Sequence, residues 1–251
     1  MVAAGVRKNI GKYMLRTSNS VPALLVLLNL IIVSILPATP ITDKPFQDWT
    51  LQEAIRILTE SPWAQKETFT RIIGGIGSGV RGEKEIYNTF FVRFLSARPI
   101  REGYARVKQL EHSYDQLSPE EKNRVDMSLR PVLELNVESW IVVAVSFRSN
   151  DPDLESRVRQ FWRDQTTGTL QNQTFLSSEH FPQIQLAAYY PPLEEGIGAK
   201  FVFPRDINGV PVVLAEDKTV TFELLDIPGA NPHLRVVFEV AEMTKKGQLA
   251  L

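Results

Sequence analysis

The rhythm of apolar and polar positions changes partway along the chain. Leu51, Ala54, Ile55 and Leu58 share one helical face, opened by Thr50 and Glu53 as a capping box and stopped at Ser61-Pro62. Residues 86–95 carry β-branched and aromatic side chains on both alternating faces, which predicts a well-covered strand. A helix is expected from near Ser96 or Ala97, aligning Ile100, Gly103, Tyr104, Val107, Leu110 and Tyr114. A second follows, capped by Ser118 and Glu121, with Val125, Leu129, Val132 and Leu133 on one side. The run Trp140–Phe147 is apolar on both faces and predicts a central strand. Asp151-Pro152 then opens a third helix marked by Leu154, Val158, Phe161 and Trp162, ending near Thr167-Gly168.

From residue 169 helical periodicity stops. Strands are expected at 184–190, 199–203, 211–214, 219–225 and 234–240, with Asn208-Gly209 as a hairpin turn. Val220, Phe222 and Leu224, and Leu234, Val236, Phe238 and Val240, each occupy one face of an alternating run. One covered and one wetted face is the mark of an antiparallel sheet. The expected class is α+β: a mixed helix and strand region over 39–168, followed by an antiparallel β region over 169–251. Lys245-Lys246-Gly247 reads as a solvated tail.

The first 38 residues stand apart from this pattern. Arg7, Lys8, Lys12 and Arg16 precede an aliphatic run from Val21 to Leu36, and no acid occurs before Asp43. Sixteen helical residues span about 24 Å, short of a hydrocarbon core of about 30 Å. The basic start, short apolar stretch and small Ala38 predict a secretory signal, with an uncleaved anchor through residues 21–36 as the alternative. The expected address is the periplasm or the medium. The whole chain is near neutral, with 28 basic and 29 acidic residues in 251. Without the four leading cations the remainder is mildly acidic, which argues against nucleic-acid binding.

The 251 residues contain no cysteine, which excludes disulfides, thiol catalysis and thiolate metal sites. Gly77-Ser78-Gly79-Val80-Arg81-Gly82 spells a dinucleotide fingerprint, but strand-like residues follow it where a helix N-terminus is needed; a surface loop is the simpler reading. His112, His180 and His233 lack neighbouring ligands, so neither metal nor cofactor is expected. Dispersed carboxylates are the weak catalytic candidates: Glu194, Glu195 and Asp206 would need to converge across a cleft. Trp162, Arg163, Tyr189 and Tyr190, the last leading into Pro191-Pro192, are the candidates for contacting a protein or glycan. Their simpler use is to seal the joint between the two regions.

The strings LQEAIRILTESPWA, FFVRFLSARPIREGYARV, WIVVAVSF, and YYPP followed by GAKFVFPR resemble exported bacterial proteins of Acidobacteria type, of unknown function. That resemblance implies export and no particular chemistry. Phe161-Trp162-Arg163-Asp164 is also similar to the signature of GWxTD-type domains, but lacks the glycine and threonine and places its aspartate one position early, so no role follows. The sequence therefore favours a noncatalytic binding or structural protein of the cell envelope, with an envelope hydrolase using dispersed carboxylates as the alternative.

Overall fold

A computed structural model describes residues 44–73, 84–194, 196–245 and 248–251. The signal or anchor segment, the glycine string 74–82 and Glu195 lie outside the described residues. Among the described residues no helix is long and apolar enough to cross a membrane.

The class is α+β, with helices concentrated in the first part and strands in the second. Five strands form the larger sheet: β1 (Ala64–Ile73), β2 (Lys84–Phe94), β3 (Trp140–Ser149), β7 (Ala199–Pro204) and β6 (Ala188–Tyr190), in the order β1-β2-β3-β7-β6. Every neighbouring pair is antiparallel. The smaller sheet runs β11 (Asn231–Glu239), β10 (Thr219–Ile227), β4 (Thr174–Ser177), β5 (Ile184–Gln185), also antiparallel. The larger sheet thus draws strands from both sides of residue 168, and β3 lies at its centre as its two apolar faces require.

Directly opposed residues in a sheet point to the same face. Phe90, Val92 and Phe94 of β2, Val143, Val145 and Phe147 of β3, and Phe201 and Phe203 of β7 therefore share one side, and all are buried. That side meets the smaller sheet through aromatic edges: Phe94 lies 4.8 Å from Phe238, and Phe201 5.5 Å from Phe222, between ring centroids. Val220, Phe222, Leu224, Leu234, Val236 and Phe238 supply the other half of this core, as their alternation predicts.

The helices are set by the expected caps. α1 (Leu51–Thr59) and α3 (Pro119–Leu133) each begin with a complete capping box, from Thr50 with Glu53 and Ser118 with Glu121. α2 (Arg98–Glu111) buries a different stripe from the one its apolar residues mark. Arg101, Arg106 and Gln109 are buried, while Tyr104 and Val107 are only partly so. The guanidinium groups reach backbone carbonyls: Arg101 donates to Leu133 and Leu135, and Arg106 to Trp49. Anchored in this way, their long stems pack as apolar chains, with Arg101 Nε and Gln109 Oε1 left without a hydrogen-bond partner among the described residues. α4 (Pro152–Asp164) and the short α5 (Thr167–Leu170) complete the helices.

Further expectations change: the run expected as one strand over 184–190 divides between β5 of the smaller sheet and β6 of the larger, and the third helix stops at Asp164, with α5 separate from it. The 211–214 run shrinks to β9 (Val210–Pro211), which pairs with β8 (Asp206–Ile207) around the Asn208-Gly209 turn; both turn residues have positive φ, 54° and 79°. Of the tail expected at Lys245-Lys246-Gly247, Lys246 and Gly247 lie outside the described residues, and the described residues on either side are held. β12 (Thr244–Lys245) pairs with β13 (Gln248–Leu249), the Ala250 amide donates to Met243, and Leu251 is buried.

Candidate functional site

The site follows from the ending of one strand beside another. β7 begins at Ala199, opposite Val145, so Ser146, Phe147 and Arg148 of β3 continue without a strand partner on that side among the described residues. Gly198 makes this step possible. Its φ is +124°, and a Cβ there would stand 2.2 Å from the Val145 carbonyl oxygen. Only glycine lets the 192–198 segment turn off the sheet so closely.

α4 closes the opposite wall. Asp151 caps it by accepting from the Asp153 and Leu154 amides. Leu154, Val158 and Trp162, four residues apart, are buried against the sheet, and Phe90 lies 6.5 Å from Trp162 between ring centroids. Glu155, Arg159 and Arg163 repeat at the same spacing one position on. The resulting cleft of about 80 Å³ is lined by these three, by Ser146–Arg148, and by Pro192, Leu193, Glu194 and Gly198.

Its charges fall into a fixed pair and a loose pair. Glu155 accepts from Arg148 at 2.8 Å, from Arg159 at 3.1 Å and from the Ser149 amide at 3.0 Å. Burial alone would push its carboxyl up, but the amide and the two arginines outweigh burial and hold it below the usual range. Glu194 is held by one contact, 3.7 Å from Arg163, and its side chain is 89% exposed. Behind the wall lies Arg93, buried without a carboxylate. It donates to the Leu58 carbonyl at 2.6 Å and to Ser146 Oγ at 2.8 Å, and rests over the Phe91 ring. Burial, and secondarily the like charge of Arg148, pull it down to about 10.

The candidate contact residues separate by one step of the sheet. Trp162 is 3% exposed and Tyr189 is 7% exposed; the Tyr189 hydroxyl donates to the Trp162 carbonyl at 2.6 Å, and its amide donates to Thr167 Oγ1. These two seal the joint between α4 and the sheet and offer little surface to a partner. Tyr190, on the other face, is 57% exposed. It stands directly opposite Lys200, a half-buried amine drawn down by burial and without a hydrogen-bond or ion-pair partner among the described residues. Arg163 lies on the cleft wall.

The carboxylate candidates do not meet. Glu194 lines this cleft, whereas Asp206 lines another with Ile141, Arg205 and Leu251, and its Oδ1 accepts from the Gly209 amide at 3.2 Å. The histidines, read as isolated, find acids across the fold. His180 Nδ1 lies 2.6 Å from Asp217, whose buried carboxylate also accepts from Leu214, and His233 Nε2 lies 3.0 Å from Glu223. The separation of 37 positions between His180 and Asp217 leaves no local signal for that pair. Among the described residues no three His, Asp or Glu side chains are placed to hold a metal ion. The buried arginines and the hold of Arg148 on Glu155 also went unread, because those partners come from separate elements.

Comparison with protein-family models, with curated proteins and with solved structures gives no match for this chain.

Proposed function

We propose that this chain is an exported, noncatalytic binding protein of the bacterial cell envelope that holds an acidic glycan along the rim from Tyr190 to Arg163. The observation that carries this reading is the unequal hold on the two glutamates. Glu155 is locked by three donors and ionised through the neutral range, so it is a poor proton donor and a weak base. Glu194 occupies Arg163 by one long, wet contact that a ligand carboxylate can replace. Tyr190 and Leu193, the latter 70% exposed, give a sugar ring an apolar face, and Lys200 adds a second cation beside Tyr190.

The basic start and apolar run of residues 1–38 support export, either by cleavage after Ala38 or with 21–36 retained as an anchor. Two measurements test the proposal. Fractionation of the tagged full-length chain is expected to place it in the periplasm, medium or membrane rather than the cytoplasm. The same chain is expected to be retained on immobilised polyuronate and not on a neutral glucan, with retention at least tenfold weaker after Arg163→Ala combined with Tyr190→Ala. Equal retention on both polymers would remove the acidic-glycan reading.

A further inference from the structure

Four strands bound the two main sheets, and three of them discourage further pairing. β6 has three residues and runs into Pro191-Pro192, β5 has two residues, and β11 carries Pro232 at its second position. β1 differs from all of them. It is ten residues long, contains neither proline nor glycine, and keeps an unbroken register with β2. Lys66, Glu67, Thr68, Thr70, Arg71 and Ile72 are all exposed.

The register fixes which backbone groups point outward. The Phe94 amide donates to the Trp63 carbonyl at 2.9 Å, and the Asn150 amide to the Tyr87 carbonyl at 3.3 Å. Hydrogen-bonded pairs alternate along an antiparallel ladder. The odd-numbered residues of β1 therefore turn N–H and C=O toward β2, and Lys66, Thr68, Thr70 and Ile72 turn theirs away from it. That row is a template for one more strand.

We propose that β1 pairs antiparallel with β1 of a second copy of this chain, about a two-fold axis at Phe69. An axis there sets Thr68 opposite Thr70, and Lys66 opposite Ile72, of the second copy as hydrogen-bonded pairs, which matches every outward group to another. It also sets Glu67 opposite Arg71 twice, by symmetry, and Phe69 opposite Phe69 in the closer, non-hydrogen-bonded position. Glu67 and Arg71 have no ion-pair partner among the described residues. Moving the axis to Thr68 leaves Glu67 facing Phe69, and moving it to Thr70 leaves Arg71 facing Phe69. An axis between two residues sets outward groups against inward ones. Backbone parity thus requires an axis on a residue, charge places that axis at Phe69, and the symmetric contact closes on itself as a dimer.

The absence of cysteine makes the register directly measurable in the full-length chain, purified in mild detergent. Glu67→Cys and Arg71→Cys proteins, mixed under a mild oxidant, are expected to form disulfide-linked dimers at least tenfold faster than either alone, because opposed Cβ atoms stand about 5 Å apart. Cross-linking of the mixture no faster than of the single variants would overturn the register. Independently, Glu67→Arg is expected to weaken dimerisation at least tenfold in sedimentation, and Glu67→Arg with Arg71→Glu to restore it. A full-length chain that is monomeric at every concentration, or a double variant no better than the single one, would overturn the dimer itself.

Discussion

The two faces of the five-stranded sheet are built on opposite terms. One holds Phe90, Phe94, Phe201, Phe203 and Tyr189 against the smaller sheet and α4, with its one phenol satisfied by a carbonyl. The other holds Arg93, Ser146, Lys200 and Tyr190, with Arg93 satisfied by neutral oxygens and Lys200 without a partner among the described residues. A single step along β6 or β7 carries the chain from one face to the other. The difference teaches that residue type alone does not separate an anchor from a contact here; parity within the strand does.

Neighbouring residues can therefore be set against each other. Phe201→Ala is expected to cost about 3–5 kcal/mol in denaturant unfolding, through lost transfer energy and a cavity. Lys200→Met, one position away, is expected to leave stability unchanged or raise it, since it removes a half-buried charge that has no partner among the described residues. Comparable losses from both would erase the distinction between the faces. Gly198→Ala is expected to cost about 3 kcal/mol, because the added Cβ meets the Val145 carbonyl in a conformation L residues avoid. Should it unfold like the parent chain, the turn beside the cleft is not the constraint described.

A smaller contrast lies in the tyrosines. Tyr189→Phe is expected to cost about 1 kcal/mol by leaving the Trp162 carbonyl short of a donor. Tyr190→Phe is expected to stay within about 0.5 kcal/mol of the parent. Thermal unfolding of the two variants side by side separates them. The smallest effect is a pH dependence at Glu155, whose folded carboxyl lies below its usual value. Its stabilising contribution is present above the ordinary carboxylate range and is lost as pH falls through the folded value. Glu155→Gln should flatten that part of the acid-unfolding curve, and an unchanged curve would show that the arginine cluster does not bear on folding.

Much of the frame was legible in the sequence, because caps, turns and alternation are local signals. Thr50, Ser118 and Asp151 open their helices, Asn208-Gly209 turns its hairpin, and Phe222 and Val236 face inward. β1 was missed for a physical reason: Gln65 to Arg71 is largely polar because an edge strand projecting from a sheet is wetted on both sides. The buried stripe of α2 was read at Ile100 and Gly103 but not at Arg101 and Arg106, whose hydrogen-bond acceptors come from distant segments. Arg163 on the cleft wall and the exposed Tyr190 could be read from composition. At Glu155 the pair with Arg159 is a local i,i+4 contact on α4, but the Arg148 and Ser149 donors come from β3, and only the folded chain brings them to that carboxylate.

The most direct test is one assay with two readouts on the full-length chain incubated with soluble polyuronate: bound fraction and release of reducing ends. The account predicts saturable binding, weakened at least tenfold by Arg163→Ala with Tyr190→Ala, and no reducing ends above background. Steady release of reducing ends, abolished by Glu194→Gln or Glu155→Gln, would contradict it and make the cleft a hydrolase.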